Sequence, residues 1–268
     1  RVNRSTSFRV LRVLQNHLKS KLVMRKNAIV MGASSGMGRE VALLLLADGW
    51  QVGVAARRAD ALEQLRKQYP EQVTVAVIDV TDTAAGEQLT DLAERMGGMD
   101  LYFHASGIGK QNPNVDAEIE LRTVGTNGMG FTRMIDAAFG YMAKHGGGHI
   151  AAITSVAGTK GLGMAPSYSA TKAFQNTYLQ ALEQLANMRK LHITFTDIRP
   201  GFVATALLDD EHHYPMLMNV QTTARLIMKA VKAKKHVAIL DWRYRVLIAL
   251  WRRVPRCIWR HLPIKTKD

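Results

Sequence analysis

The sequence predicts an α/β fold, a doubly wound parallel β-sheet with helices on both faces, in a single domain. Short apolar strand-like segments alternate with helical segments along the chain, and this alternation is typical of a parallel sheet with right-handed crossovers. A glycine-rich turn directly follows the first of these strands. With 268 residues, 47% of them hydrophobic, the chain is long enough to bury one large core.

Each element is predicted from its own composition and period. The strands are short, apolar and rich in β-branched residues, and they are predicted at 28–31, 51–56, 73–78, 101–104, 149–154, 192–198 and 236–240. The helices are longer and rich in helix-forming residues, and they are predicted at 39–48, 59–68, 84–96, 128–144, 167–189 and 222–233. Gly32, Ser155 and Pro200 all follow predicted strands. They therefore belong to the carboxyl edge of the sheet, where ligands bind in such folds.

The glycine-rich turn carries Gly32, Gly36 and Gly38 between the first strand and the first helix. Glycines permit a tight turn, and the backbone N–H groups at the start of the helix favour an anion such as a pyrophosphate. The spacing is G-x-x-x-G-x-G and departs from the commoner G-x-G-x-x-G fingerprint. We predict a dinucleotide site, with an ordinary strand–helix turn as the alternative.

Tyr168 and Lys172 are four residues apart in the predicted helix 167–189, so their side chains share one helix face. A phenol with an unperturbed pKa of ~10 is a poor base at neutral pH, and a neighbouring ammonium group lowers that pKa. We therefore predict that Lys172 lowers the pKa of Tyr168, and that Tyr168 exchanges a proton with an alcohol/carbonyl pair. Ser155 ends a β-branched strand and is predicted to present its hydroxyl to the same pocket.

Taken together, these residues resemble the short-chain dehydrogenase/reductase family over roughly residues 26–240. Ser155, Tyr168 and Lys172 match its catalytic triad, and Asn127 matches the asparagine that extends the triad to a tetrad. The resemblance implies a Rossmann-type fold and an enzyme that interconverts an apolar ketone or aldehyde and its alcohol by direct hydride transfer. It further implies that Tyr168 protonates the developing alkoxide, that Ser155 hydrogen-bonds the same oxygen, and that Asn127 positions a water linking Lys172 to solvent.

The resemblance also implies which residues hold the cofactor. They are Gly32, Ser34, Ser35, Gly36, Met37 and Gly38 in the turn, Arg57, Arg58, Asp79, Val80 and Gly107 after the next strands, Tyr168 and Lys172 in the helix, and Pro200, Gly201, Val203 and Thr205 after the sixth strand. Two positions depart from the family pattern. Met31 replaces a threonine, and the family's Asn-Asn-Ala-Gly is the segment 104–107 here, without the asparagine that braces the central sheet.

The end of the second predicted strand indicates which cofactor is preferred. Ala56 stands where an acidic residue would bind a ribose 2′-hydroxyl, and Arg57 and Arg58 follow it. A guanidinium group pairs well with a 2′-phosphate, so we predict NADP(H) rather than NAD(H). The alternative is that both arginines are simply solvated.

The net charge of +14 is concentrated at the two ends of the chain. Residues 1–27 hold eight basic and no acidic groups, residues 229–268 hold twelve basic and two acidic groups, and the remainder is mildly acidic. We predict no nucleic-acid partner, because no nucleic-acid motif accompanies this charge. Residues 1–25 are predicted to be a basic amphipathic extension to the catalytic domain at 26–241, with an organelle transit peptide as the alternative.

The C-terminal region, 242–268, combines tryptophans, aliphatic residues and arginines. Residues 242–262 suit either a helix at a membrane interface or a packing face for another subunit, and the resemblance implies a homodimer or homotetramer. One cysteine and no membrane-spanning run indicate a cytoplasmic protein, with a membrane-peripheral one as the alternative. No spacing indicates a metal site. The other function classes left open are a cofactor-binding sensor or scaffold with little turnover and a membrane-peripheral assembly protein.

Overall fold

A computed structural model describes residues 26–205 and 214–264, which form a doubly wound α/β fold around one seven-stranded sheet. All strand pairs are parallel, in the order β3-β2-β1-β4-β5-β6-β7. The strands are β1 (Asn27–Met31), β2 (Gln51–Ala56), β3 (Val73–Val77), β4 (Leu101–His104), β5 (Gly148–Ile153), β6 (Ile193–Arg199) and β7 (Val237–Ile239). The predicted fold class is confirmed.

The helices cover both faces of this sheet, and a hydrophobic core lies on each side. They are α1 (Gly36–Ala47), α2 (Ala59–Gln68), α3 (Ala85–Arg95), α4 (Ala117–Val124), α5 (Phe131–Lys144), α6 (Pro166–Met188), α7 (Val220–Lys232), α8 (Trp242–Arg253) and the short α9 (Arg256–Trp259). One core contains residues of α1, α2, α7 and α8, and the other contains residues of α3, α5 and α6. Every predicted helix is present, with ends shifted by a few residues.

Helix α4 is absent from the set of predicted helices. Asp116 caps its N-terminus by accepting hydrogen bonds from the backbone of Glu118 and Ile119. A capping aspartate followed by acidic residues in the first turn is a helix-start signal that the sequence offered. The chain then widens into a π-helical turn, Gly125–Gly130, before α5 begins at Phe131. The predicted start of that helix at residue 128 therefore falls inside the π-helical turn.

The direction of winding changes between β1 and β4, which are neighbours in the sheet although β1 also pairs with β2. In open parallel sheets a crevice forms at such a point, outside the carboxyl ends of the strands. The segments that follow β1, β4, β5 and β6 all leave the sheet at this edge. They carry most of the residues that the sequence singled out.

The C-terminal helix α8 packs on the body of its own chain. Tyr244 and Ile248 are almost fully buried in the same core as α1 and α7. Within the described ranges, no helix is long and apolar enough to cross a membrane. Residues 1–25, which include the predicted amphipathic extension, lie outside the described residues.

Candidate active site

Helix α6 carries Tyr168 and Lys172 in its first two turns, and a contact from α4 fixes its start. Pro166 occupies the first turn, where a missing backbone N–H does no harm. The next backbone N–H, that of Ser167, donates a 3.0 Å hydrogen bond to the Glu120 carboxylate. The second oxygen of Glu120 accepts a 2.8 Å hydrogen bond from Asn112. A carboxylate at this helix end is favourable because the helix dipole is positive there, and it positions the turn that bears Tyr168.

Ser155 reaches the same site from the carboxyl end of β5. Its side chain is buried, and its Oγ accepts a 3.0 Å hydrogen bond from the backbone N–H of Ala157. That bond starts the short 3₁₀ turn Val156–Thr159 and holds the hydroxyl towards α6. A hydrogen bond also joins Ser155 to the phenol of Tyr168. Ser155 and Tyr168, which were predicted to share a pocket, are therefore in contact.

The predicted lowering of the Tyr168 pKa is wrong. Burial raises the pKa of Tyr168 above its usual value, and the hydrogen bond from Ser155 opposes this increase only in part. The ammonium nitrogen lies 5.7 Å from the centre of the phenol ring and directs its hydrogen bonds elsewhere. In this arrangement the removal of water from the phenolate determines the direction of the pKa shift.

Lys172 is buried, and burial lowers its pKa to about 8, although the charge of Asp197 opposes the shift. Its Nζ donates to the carbonyl of Ile153 at 3.2 Å and to Gln175 Oε1 at 2.9 Å. A buried ammonium group needs such acceptors, since it has lost its hydration shell. These two contacts fix the lysine next to the end of β5.

Gln175 is a site residue that the sequence reasoning missed. It is fully buried, and its Nε2 donates a 2.9 Å hydrogen bond to the backbone carbonyl of Asn127 while its Oε1 accepts from Lys172. The side-chain amide thus bridges Lys172 and Asn127 directly. The resemblance implied a different link, in which Asn127 positions a water that connects Lys172 to solvent. One signal was available, because Gln175 follows Lys172 by three residues and therefore shares its helix face.

Asn127 lies in the π-helical turn and is completely buried. Its side chain makes a pair of hydrogen bonds with the backbone of Ile108, accepting at 2.9 Å and donating at 2.7 Å. A Cβ on Gly107 would lie 3.3 Å from the Asn127 oxygen and 3.7 Å from Lys172 Nζ. The loop after β4 therefore comes close to both residues, and π-helical turns of this kind are frequent at functional sites.

The segment that departs from the family pattern, 104–107, is supported by other contacts. His104 is buried, and its Nδ1 shares a 2.8 Å hydrogen bond with the hydroxyl of Tyr102. The backbone N–H of Ala105 donates to the carbonyl of Met31, which continues the pairing of β4 with β1. Burial, followed by the charge of Lys172, lowers the pKa of His104 to about 3. The imidazole is therefore neutral at physiological pH.

The glycine-rich turn brings three backbone segments close together. Gly32 and Gly36 have φ angles of +90° and +56°, a region that favours glycine. A Cβ on Gly38 would lie 2.3 Å from the carbonyl oxygen of Gly32, so a side chain cannot fit there. The Ser35 side chain precedes α1 and accepts no hydrogen bond from the backbone N–H groups of its first turn. That turn, which contains Met37, has no acidic residue. This helix end can therefore accept an anion.

The two arginines after β2 have different surroundings. Arg58 folds back over the turn, and its Nη2 donates to Ser35 Oγ at 2.7 Å and to Ser34 Oγ at 3.1 Å. Arg57 is exposed and acts electrostatically on Asp79. Burial raises the pKa of Asp79, but hydrogen bonds from Thr81 and the charge of Arg57 outweigh it, so the pKa is lowered. Two guanidinium groups and two hydroxyl groups thus stand at the rim of the turn.

Two further predicted positions lie beside this rim. Val80 is buried, its carbonyl accepts a 2.8 Å hydrogen bond from Arg133, and it packs closely against Gly130 of the π-helical turn. Thr205, at the end of the segment after β6, lies near Gly36. A Cβ added to Gly36 would lie 3.4 Å from the methyl carbon of Thr205. The loop after β3 therefore contacts the π-helical turn, and the loop after β6 approaches the loop after β1.

The proline-glycine segment after β6 joins the site to the C-terminal helix. Pro200 accepts a hydrogen bond from the backbone of Val156, which ties it to the Ser155 turn. A Cβ on Gly201 would lie 1.9 Å from the ring of Tyr244 in α8. Val203 bridges to Met218 on the other side of residues 206–213, which lie outside the described residues.

The described residues contain no group of three or more side chains suited to hold a metal ion. The arrangement offers proton-transfer chemistry at Tyr168, a hydroxyl at Ser155 and a fixed ammonium group at Lys172. Beside them lies a basic, glycine-lined crevice with the donor set that a dinucleotide phosphate requires.

Known proteins are similar to this chain in sequence. Residues 26–214 match the family model described as short chain dehydrogenase. An uncharacterized oxidoreductase of Myxococcus xanthus is 30% identical over 228 residues, covering 82% of this chain and 89% of the relative.

Solved structures show the same fold. A short chain dehydrogenase from Burkholderia cenocepacia in complex with NADP superposes with a TM-score of 0.77, at 19% identity, over 90% of this chain and 98% of that one. An actinorhodin polyketide ketoreductase with NADPH superposes with a TM-score of 0.71, at 24% identity, over 81% and 95%.

Proposed function

Because the chain belongs to the short chain dehydrogenase family, we propose that it is an NADP(H)-dependent oxidoreductase that interconverts an apolar ketone or aldehyde and its alcohol. The observation that carries the proposal is the meeting of Ser155, Tyr168 and Lys172 at the carboxyl edge of the sheet, with Asn127 joined to the lysine through Gln175. All of these side chains except that of the half-buried Tyr168 are buried.

Each side chain has a distinct part in the proposed reaction. Tyr168 donates a proton to the carbonyl oxygen of the substrate as negative charge develops there, because a neutral phenol is the form that burial favours. Ser155 donates a hydrogen bond to the same oxygen and stabilises that charge. Lys172 holds its positive charge nearby and favours the phenolate that remains once the proton has left.

The residues of the crevice fit NADP(H), which supplies the hydride when it is bound. The start of α1 and the three glycines would hold the pyrophosphate. Arg57, Arg58 and Ser34 would hold the 2′-phosphate, since guanidinium and hydroxyl groups are its preferred donors. The Arg58 contacts with the two serine hydroxyls support this assignment, because they place the guanidinium over the turn. Both superposed structures named above contain NADP or NADPH.

The proposal extends to a homo-oligomer through the helices that flank the site. Exposed apolar side chains lie on α4, the π-helical turn and α6, namely Leu121, Val124, Met129, Phe174, Leu185 and Met188. Helices α4 and α6 pack against each other, so most of these side chains are candidates for one continuous surface. Apolar patches of this kind usually mark an interface.

The test is the substitution Tyr168→Phe, which removes the transferable proton and little volume. We expect NADPH-dependent reduction of a carbonyl panel to fall by at least a factor of about 10², the lower end of general acid catalysis, while NADPH binding measured by fluorescence is retained. Tyr178→Phe, on the same helix, is the matched control and keeps full activity. Wild-type turnover in Tyr168→Phe would refute the mechanism. A wild-type chain that binds NADPH and reduces nothing would favour the sensor or scaffold alternative.

A further inference from the structure

The outer side of α8 and α9 carries an apolar stripe bordered by arginines. Trp242, Val246 and Leu250 are four residues apart, so they form one row along α8, and they are 69%, 53% and 60% exposed. Ile258 and Leu262 extend the exposed apolar surface beyond the end of the helix. We call this set, with the arginines described next, the arginine–apolar face.

The arginines lie beside the stripe. Arg245 and Arg252 are seven residues apart and form a parallel row, and Arg253 and Arg256 follow at the C-terminal end of the helix. All four are exposed. Residues 242–264 contain no aspartate or glutamate. The face therefore combines exposed apolar area with positive charge. The acidic side chain next to it, Asp241, pairs with Arg243 and also acts electrostatically on Arg245.

This face is distinct from the side of the helix that packs on the body. Tyr244 and Ile248 point into the core, and the Tyr244 hydroxyl accepts from the backbone of Phe202 and donates to the carbonyl of Pro215, both at 3.0 Å. The inner side of α8 is thus fully used by its own chain. On the outer side, the side chains of Trp242, Val246 and Leu250 remain exposed.

We infer that the arginine–apolar face docks on an anionic lipid surface. A helix lying in a membrane interface has this pattern, with tryptophan and aliphatic residues on one side and basic residues around them. Each arginine near an anionic surface is attracted to it, and its aliphatic stem still covers apolar area. Nucleic acid would satisfy the charges and leave the apolar stripe in water.

A second copy of the chain fits this face less well. A two-fold contact would place arginine rows from the two copies against each other, and like charges repel. The exposed apolar surface on α4 and α6 already offers a subunit interface. The charge of the face therefore favours lipid as its occupant.

Docking here places the lipid beside the site, and this step rests on the proposed function. Lys160, just after the Ser155 turn, donates a 2.9 Å hydrogen bond to the carbonyl of Val254 and lies over the ring of Trp259. Trp259 in turn donates to the carbonyl of Gly161 at 2.8 Å. Because α8 and α9 contact the loops after β5 and β6, the preferred substrate is an apolar carbonyl compound dissolved in the membrane.

Vesicle binding by the full chain tests the docking. We expect the protein to sediment with phosphatidylcholine vesicles that contain phosphatidylglycerol at physiological ionic strength, and not with phosphatidylcholine alone. V246D/L250D and R245E/R252E should each bind at least about tenfold more weakly. K67E/K144E, which makes the same charge change at exposed lysines on two other helices, should bind like the wild type. Melting curves verify that each variant is folded.

Binding that is undiminished in V246D/L250D would overturn the inference, because the attachment would then reside elsewhere, for example in residues 1–25. A smaller oligomer for V246D/L250D by light scattering would assign the face to subunit contact instead. The substrate step is separated by kinetics. V246D/L250D should lose activity on a vesicle-dissolved long-chain ketone and keep activity on a short water-soluble ketone. A wild type that docks but reduces neither ketone would refute the proposed function and leave the docking intact.

Discussion

The amide of Gln175 provides the most discriminating test of the site. Gln175→Leu removes the acceptor for the Lys172 ammonium group and keeps a side chain of similar size in the buried position. A hydrogen bond to a charged group is worth about 1.5–3 kcal/mol, and 1.36 kcal/mol corresponds to one pKa unit. The loss disfavours the protonated lysine, so its pKa should fall from about 8 by roughly 1–2 units.

The consequence is measurable in the pH dependence of catalysis. Activity that requires the Lys172 charge is retained below its pKa and lost as the pH rises through it. Gln175→Leu should therefore move the alkaline limb of kcat/KM for carbonyl reduction to lower pH by roughly 1–2 units. Gln175→Glu keeps an acceptor and adds a negative charge, so it should move the limb to higher pH.

A purely structural role for Gln175 would leave that limb in place. The control is Gln180→Leu, an exposed position on the same helix, which should change neither the limb nor the melting temperature by much. Carbon-13 NMR of the lysine Cε atoms measures the same pKa without any substrate, and the Lys172→Ala variant assigns the signal. Coincident alkaline limbs and coincident lysine titrations in Gln175→Leu and the wild type would refute the reasoning.

Three further predictions concern the cofactor, the C-terminal helix and acid stability. Arg58→Ala should weaken NADPH binding by roughly 10- to 100-fold and NADH binding only slightly, as measured by fluorescence titration. Equal losses of affinity for the two cofactors would mean that Arg58 has a structural role and does not contact the 2′-phosphate. Tyr244→Phe should cost about 1–3 kcal/mol, seen as a lower Tm, because it leaves the backbone groups of Phe202 and Pro215 unpaired. His104 has a pKa of about 3 in the fold and about 6.5 when unfolded, so the stability it contributes is complete above pH 6.5 and is lost as the pH falls towards 3. Denaturant unfolding should show a loss of about 2 kcal/mol from this group at pH 5, and a His104→Asn variant with the same pH dependence as the wild type would contradict it.

The parts of the site that the sequence predicted are those whose position follows from local geometry. Gly32, Gly36 and Gly38 lie in one turn, and the four-residue spacing of Tyr168 and Lys172 fixes their common helix face. The order of strands and helices then placed Ser155 at the same edge of the sheet. Those predictions needed no knowledge of which distant segments touch.

The parts of the site that the sequence did not predict depend on contacts between distant segments or on burial. Glu120 caps a helix that begins 46 positions later in the chain, at Pro166, and nothing in its own neighbourhood indicates this. The spacing of Tyr168 and Lys172 says nothing about solvent, so the predicted direction of the Tyr168 pKa was wrong. The sequence likewise treated both arginines after β2 alike, whereas only Arg58 makes hydrogen bonds to the turn serines.

The packing of Tyr244 beneath Gly201 also has a consequence for biosynthesis. A ribosome makes the glycine-rich turn, the Ser155 turn and α6 well before it makes α8, yet the backbone of Phe202 donates to a hydroxyl that only α8 supplies. A nascent chain that has already folded its sheet therefore still lacks the wall beneath the proline-glycine segment. We expect a chain whose synthesis stops before α8 to have a malformed pocket. The pocket would then be complete only after α8 has been translated and has packed against the sheet.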